Sequence, residues 1–345
     1  MRLLPHPLVF LSCLLATSVV AAPRGLEPDF PVAGSIERLD PRLDAVLDTA
    51  TTIEVLAEGF TWSEGPVWLP TEDAVVFTDV PQNTAYRWSE ADGLSIYLQP
   101  SGYTGEVENS LQEGANGLAL DPSGALVLCQ HGDRRVARMR APLDEPAPVF
   151  ETLAATWEGK RFNSPNDLAI APDGTIYFTD PIYGLGPDAP AIAFTGVYQL
   201  APDGTVTLLA KDQPMPNGVV LSAEEDALYI ANSDSAAAIY THLPLAQGAT
   251  AKVFFDATAL VGADKPGLPD GMALHGPSGL LFATGPGGVL VLDPSDPDDP
   301  HLGTIRTGKA TANCTFNADG TVLYMTAHDT LMRVSLKGPP RSAGP

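Results

Sequence analysis

The chain has 345 residues, with 42 acidic against 19 basic side chains and a formal net charge of −23. That balance leaves no basic face for a phosphate backbone or an anionic membrane, so nucleic acid is excluded as a partner; a small neutral substrate or a cation is compatible with it. Three cysteines are too few for a disulfide framework, and Cys129 and Cys314 sit among apolar residues, as small buried thiols do.

The first 22 residues read as an export signal. Arg2 gives a positive start, Leu8 to Val20 is an apolar core, and "VVAA" supplies small residues for cleavage near Ala22. The apolar run falls short of the roughly 18–20 residues that a spanning helix needs. Cys13 comes too early in the run for a lipid anchor. The expected product is a soluble periplasmic or secreted protein with no membrane association once the signal is removed. Residues 23–51 form an N-terminal extension. In it, "DPRLDAVLD" (40–48) has the signature of a short helix, with Asp40 as cap and Pro41 in the first turn.

From there on the chain reads as short strands and turns, and one phrase recurs six times. The copies are "EGPVWLPTEDAVVFTDV" from Glu64, "NGLALDPSGALVLCQH" from Asn116 and "NDLAIAPDGTIYFTDP" from Asn166. They continue with "NGVVLSAEEDALYIANS" from Asn217, "DGMALHGPSGLLFATGP" from Asp270 and "NCTFNADGTVLYMTAH" from Asn313. Successive starts lie 52, 50, 51, 53 and 43 residues apart, the period of a four-stranded repeat. Each copy begins with an oxygen-bearing side chain, continues through an apolar strand, turns, and returns as a second strand. Third strands follow at "AYRWS", "RVARM", "GVYQL", "AIYTH", "GVLVL" and "LMRVS". Fourth strands follow in all but the last copy, which runs into "KGPPRSAGP"; residues 338–345 have the composition of a disordered tail. The unused strand "TIEVLA" (52–57) fills that gap. The predicted fold is all-β: a six-bladed β-propeller over 52–337, closed by pairing this N-terminal strand with the last blade.

In a propeller the first strand of each blade is innermost. Glu64, Asn116, Asn166, Asn217, Asp270 and Asn313 are therefore expected to form a ring at one end of the central channel. The loops after the second strands, carrying Asp79, His131, Asp180, Tyr183, Asp234 and His328, border the same mouth. Turn chemistry accounts for the glycines that follow four of the ring residues. It does not account for the oxygen donor before them. Converging carboxylates repel unless something positive joins them, which favours a divalent cation held by oxygens. Calcium suits an amide-rich site, and zinc, manganese and iron remain compatible. A water-filled channel of hydrogen-bonded amides is the competing reading. Asp79 and Asp180 fit loop caps better than substrate contacts.

"EGPVW", "NSPNDLAIAPDGTIYFTDPIYG", "MPNGVVLS" and "LPDGMAL" resemble the SMP-30/gluconolactonase family of six-bladed propellers, and "CQHGDRRVARM" resembles its bacterial sugar-lactonase branch. The resemblance spans roughly residues 45–335. It implies a divalent-metal-dependent hydrolase of cyclic esters, opening sugar lactones to aldonic acids. It implies metal ligands at Glu64, Asn217 and Asp270, with Asp270 also the proton acceptor. Asn166 takes a position that binds substrate, or that joins the metal in calcium-dependent propeller esterases. Asn116, His131 and Tyr183 are further candidates for substrate contact. An Arg that holds substrate in animal members is replaced here by Ser164, so that contact is not implied. A broader esterase or phosphotriesterase, and a propeller that binds without turnover, are the alternatives.

Overall fold

Strict strand-length runs of Val, Leu, Ile and aromatic residues, each ended by a Gly- or Asp-containing corner, leave the chain one economical way to bury its apolar side chains. It folds into antiparallel four-stranded sheets stacked face to face around an axis. The computed structural model describes residues 22–26 and 30–338. The expected export signal and tail therefore lie outside the described residues, apart from Ala22 and Gly338.

Blade 1 comprises Ser63–Leu69, Ala74–Asp79, Thr84–Ser89 and Gly93–Leu98. Blade 2 comprises Ala115–Leu120, Leu126–Gln130, Arg135–Met139 and Phe150–Ala154. In blade 3 the strands are Leu168–Ile170, Ile176–Asp180, Gly196–Leu200 and Val206–Ala210. Blade 4 has Pro216–Leu221, Ala227–Asp234, Ala237–Pro244 and Lys252–Asp256. Blade 5 has Met272–Leu274, Leu281–Gly285, Gly288–Leu292 and His301–Arg306. Blade 6 takes Thr311–Phe316, Val322–Ala327 and Thr330–Ser335 from the end of the chain. Its fourth strand is Ile53–Glu58, antiparallel to Thr330–Ser335 with Ile53 opposite Val334. The predicted six-bladed, strand-closed propeller is the fold observed.

The extension is tied into the sheets more closely than its sequence suggests. Ser35–Arg38 adds a fifth strand to blade 5, and Arg24–Gly25 and Val32–Ala33 cover the outer edge of Ile53–Glu58. Where a helix is expected over 40–48, a 3₁₀ turn spans only Pro41–Ala45, with the Asp40 side chain accepting from Arg42 N at 2.7 Å. Leu43 and Leu47 are fully buried against Leu302 and Val334, so packing between blades 5 and 6, rather than helix propensity, sets this turn.

The core lies between blades. Val67, Leu69, Leu118, Leu126 and Leu128 fill the seam of blades 1 and 2; Val127, Phe162, Phe178 and Tyr198 fill the next. Phe178 stacks on Tyr198 at 5.4 Å. The recurrent Asp-Gly corners have a common build: Asp173 Oδ1 accepts from Thr175 N at 2.8 Å, and Gly174 adopts φ 88°, which Cβ-bearing residues rarely do.

The glycines after the ring residues have a different reason. The sequence assigns them to turns, whereas Gly65, Gly117 and Gly218 lie within inner strands and Gly271 immediately precedes one. A Cβ on Gly218 would stand 2.1 Å from the Asp270 carbonyl oxygen. The inner strands converge so tightly at the axis that neighbouring backbones touch, and only glycine fits.

Candidate functional site

The ring residues are aimed by two local devices. In blades 1, 2, 4 and 6 the inner strand carries one residue more than its partner, at Glu64, at Asn116, after Pro216 and next to Asn313. Such bulges re-aim a side chain out of the sheet plane. The second device is a cap. Asp79 accepts from Thr61 N and Trp62 N at 2.9 and 3.1 Å, and Asp180 from Asn163 N and Ser164 N at 2.9 and 2.8 Å. These carboxylates hold the segments that enter the inner strands two residues before Glu64 and Asn166.

The result is a cavity of about 570 Å³ at one end of the channel, lined by Glu64, Asn116, Asn166, Asn217, Asp270, His131 and Tyr183. Asn313 is not in it. It lines the opposite opening with Asp167, and its Oδ1 accepts from Cys314 N at 2.8 Å. Asp234 lies outside the cavity lining, its Oδ1 accepting from Ala236 N, and His328 is half-exposed with its ring edge-on to Trp62 at 5.5 Å. Five of the six expected ring residues thus share the mouth.

Polar contacts connect them. His131 Nε2 is 3.1 Å from Asn166 Oδ1, and its Nδ1 is 3.1 Å from Glu113 Oε2. Asn166 Nδ2 donates to Asn217 Oδ1, and Asn217 Nδ2 donates to Ser233 Oγ at 2.9 Å. Ser233 Oγ donates in turn to the Pro269 carbonyl. Glu64 Oε2 accepts from Gly65 N at 3.0 Å. Asp270 is partly exposed to the cavity, yet its Oδ1 is buried with no hydrogen-bond partner. The Tyr183 hydroxyl is likewise buried and unpaired.

The electrostatics are one-sided. Burial pushes the Glu64 carboxyl up to about 7, against the pull of the Gly65 N–H. Burial does the same to Asp167, also to about 7. Asp270 is driven well above the ordinary carboxylate range by burial and by the nearby charges of Glu64 and Asp167. Among the described residues no Lys or Arg is ion-paired with any of the three. Nor, among those residues, do three His, Cys, Asp or Glu side chains make a metal cage by themselves. The carboxylates of Glu64 and Asp270 and the amide oxygen of Asn217 are a donor set that fits a hard divalent cation. Its charge would offset the repulsion, and the orphaned Asp270 Oδ1 is the atom such a partner would satisfy.

Several lining residues carry no mark in the sequence reading. Trp62, whose indole N–H points at Glu64 Oε1 from 3.5 Å, forms one wall, and Glu113, Ser233 and Lys265 complete others. Lys265 is the one Lys or Arg among the described lining residues. Trp62 was discoverable, standing two residues before Glu64. Asp167 was too, because it replaces the glycine that follows the ring residue in four of the other copies.

A family model described as the SMP-30/Gluconolactonase/LRE-like region matches residues 62–329. A gluconolactonase of Zymomonas mobilis is 35% identical over 322 residues, covering 88% of this chain and 86% of its own. The solved structure of a gluconolactonase from Xanthomonas campestris shares 30% identity with a TM-score of 0.76, over 91% of this chain and 99% of that one. A calcium-binding protein, regucalcin from Agrobacterium tumefaciens, shares the fold at 18% identity and a TM-score of 0.61, over 90% and 96% of the two chains. The family match takes in every residue of the polar mouth and the inner strand of every blade, and on that extent the chain belongs to the SMP-30/gluconolactonase/LRE-like family.

Proposed function

We propose that the protein is a lactone hydrolase that opens sugar lactones such as gluconolactone to aldonic acids, using one divalent cation, with calcium favoured. The observation that carries this reading is the meeting of Glu64, Asn217 and Asp270 in one cavity where Asp270 keeps a partnerless oxygen. The gluconolactonase relatives support the substrate class, and the calcium-binding relative supports the cation. The export signal read from residues 1–22 adds a periplasmic or secreted location to the proposal.

Glu64, Asn217 and Asp270 would hold the cation. When bound, it supplies a positive charge that polarises a lactone carbonyl and keeps these carboxyls ionised. The Asn166 Oδ1 is engaged by His131, so this residue offers the substrate an N–H rather than an oxygen. Asn116, Trp62 and Tyr183 border the remaining space, where ring hydroxyls and C–H faces of a sugar would lie. Water adds to the carbonyl carbon, and Asp270 accepts its proton. The bond from that carbon to the ring oxygen then breaks, and the proton passes to the departing oxygen, giving a hydroxy acid. Unpaired polar groups in the mouth disfavour lactones that lack hydroxyls, because their burial would go uncompensated.

The test is hydrolysis of glucono-, xylono- and homoserine lactones by chelated and calcium-reloaded protein. Restored turnover of the polyhydroxy lactones is expected. Turnover indifferent to chelation, or binding without hydrolysis, would overturn the reading.

A further inference from the structure

The hydrogen bonds linking the mouth amides have a direction that chemistry alone imposes. The Pro269 carbonyl only accepts, so Ser233 must give it its single hydroxyl proton. Ser233 Oγ therefore accepts from the amide group of Asn217, which places the Asn217 NH₂ on that side and its Oδ1 toward Asn166. Oxygen facing Asn166 requires the Asn166 NH₂ there, and the Asn166 Oδ1 is left facing His131. His131 Nε2 must then carry a proton. Its Nδ1 faces the Glu113 carboxyl, and that contact holds the ring in place through a second proton, carried between Nδ1 and Glu113. Amide oxygen and nitrogen are otherwise interchangeable in shape, so the two ends of this chain decide which atom each Asn turns to the cavity.

We propose that His131, backed by Glu113, and Ser233 are positioning residues that set the polarity of the Asn166–Asn217 pair. His131 has been considered above as a substrate contact; in this assignment it acts through Asn166 instead, consistent with its being 2% exposed. The consequence rests on the lactonase reading only in its last step. With the chain in this sense, Asn217 presents an oxygen to a cation and Asn166 keeps one N–H free for a substrate oxygen. With the chain reversed, Asn217 would turn an NH₂ toward the cation, which repels it. Outer partners of this sort hold ligand orientation in metal sites generally.

Two measurements test the assignment. Protein labelled with ¹⁵N-histidine reports the proton on each ring nitrogen, and the His131→Gln variant assigns the signals. A protonated Nε2 on His131 is expected, and an unprotonated Nε2 overturns the proposal whether or not the protein binds a metal or turns over any lactone. The second is calcium titration calorimetry on His131→Leu, His131→Gln, Ser233→Ala and the Leu/Ala double variant. His131→Leu and Ser233→Ala should each weaken calcium about 10-fold or more, and the double variant should be no worse than the weaker single. The Gln variant keeps an N–H near the Nε2 position and should stay within about threefold of the parent, a rescue that a merely structural role would not give. Multiplying effects in the double variant, or Gln behaving as Leu, would overturn the chain. Absence of lactone turnover in the parent would count only against the lactonase reading.

Discussion

The two ends of the central channel are built from the same six inner strands and differ in almost everything else. At one end lies the cavity of about 570 Å³ lined by carboxylates, amides and His131; at the other an opening of about 400 Å³ lined chiefly by Val67, Leu118, Leu168, Val219, Met272 and Phe316. Only two or three residues along each strand separate the polar set from the apolar one, with Asp167 and Asn313 between them. The backbone scaffold is common to both ends, so the strands themselves do not make the site. What makes it is oxygen placed at the strand entrances, where bulges and Asp79-type caps aim side chains at the axis. The entrances are organised for chemistry and the stretch beyond them for packing, a division that single substitutions can probe.

The largest effect is expected from Asp270→Asn. It keeps the shape and removes the proton acceptor, so lactone opening should fall roughly 10²–10⁴-fold while the circular dichroism spectrum is unchanged. A rate near that of the parent would take Asp270 out of the reaction. Glu64→Gln comes next. It should weaken calcium by about 100-fold in calorimetric titration and lower turnover in proportion at limiting calcium. Asp167→Asn tests the layer between the two ends. Its carboxyl accepts from Leu168 N and Val219 N and lines the far opening, so its influence on a cation is through charge and support. A loss of about 10-fold in calcium affinity is expected, with turnover restored at saturating calcium. An unrestored rate would place Asp167 in the reaction itself.

The far end should behave in the opposite way. Leu118→Ala opens a void beside Val67, Leu126 and Leu128 and should cost about 2–5 kcal/mol of stability, read by denaturant unfolding. Calcium affinity and turnover per folded molecule should stay at the parent's values. If activity fell with stability intact, the two ends would not be separable.

The same division explains what the sequence made legible. Strand identities, blade order and the closing pair were readable because each follows from period-two patterning and a fixed repeat length, both local properties. The mouth was readable where a repeated position carried an oxygen, as at Glu64 or Asn217. Asn313 shows the limit. Its place in the repeat matches the others, but Cys314 follows it instead of glycine, and its amide, accepting from Cys314 N, sits between Glu64 and Asp167 and lines the far opening rather than the mouth. Glu113 was not legible at all. It stands in an irregular stretch before blade 2, and its contact with His131 is made by the path of a loop, which no periodicity records. The strands of the N-terminal extension were invisible for a related reason: Ser35–Arg38 becomes a strand only because the edge of His301–Arg306 is there to pair with it.

The smallest expected effect belongs to Tyr183, and it bears on where the chemical end stops. Its hydroxyl is buried with no well-formed hydrogen bond, only near Ser233 and Asn217, and burial raises its pKa above the ordinary range, so in the free protein the group costs desolvation with little return. Tyr183→Phe should therefore leave thermal stability unchanged or slightly higher. If the hydroxyl is kept for a sugar oxygen, KM for gluconolactone should rise about 5–10-fold, the usual worth of one neutral hydrogen bond, with kcat little altered. A variant with unchanged KM would move Tyr183 from substrate contact to wall, and would draw the edge of the site at Asn166 and Ser233.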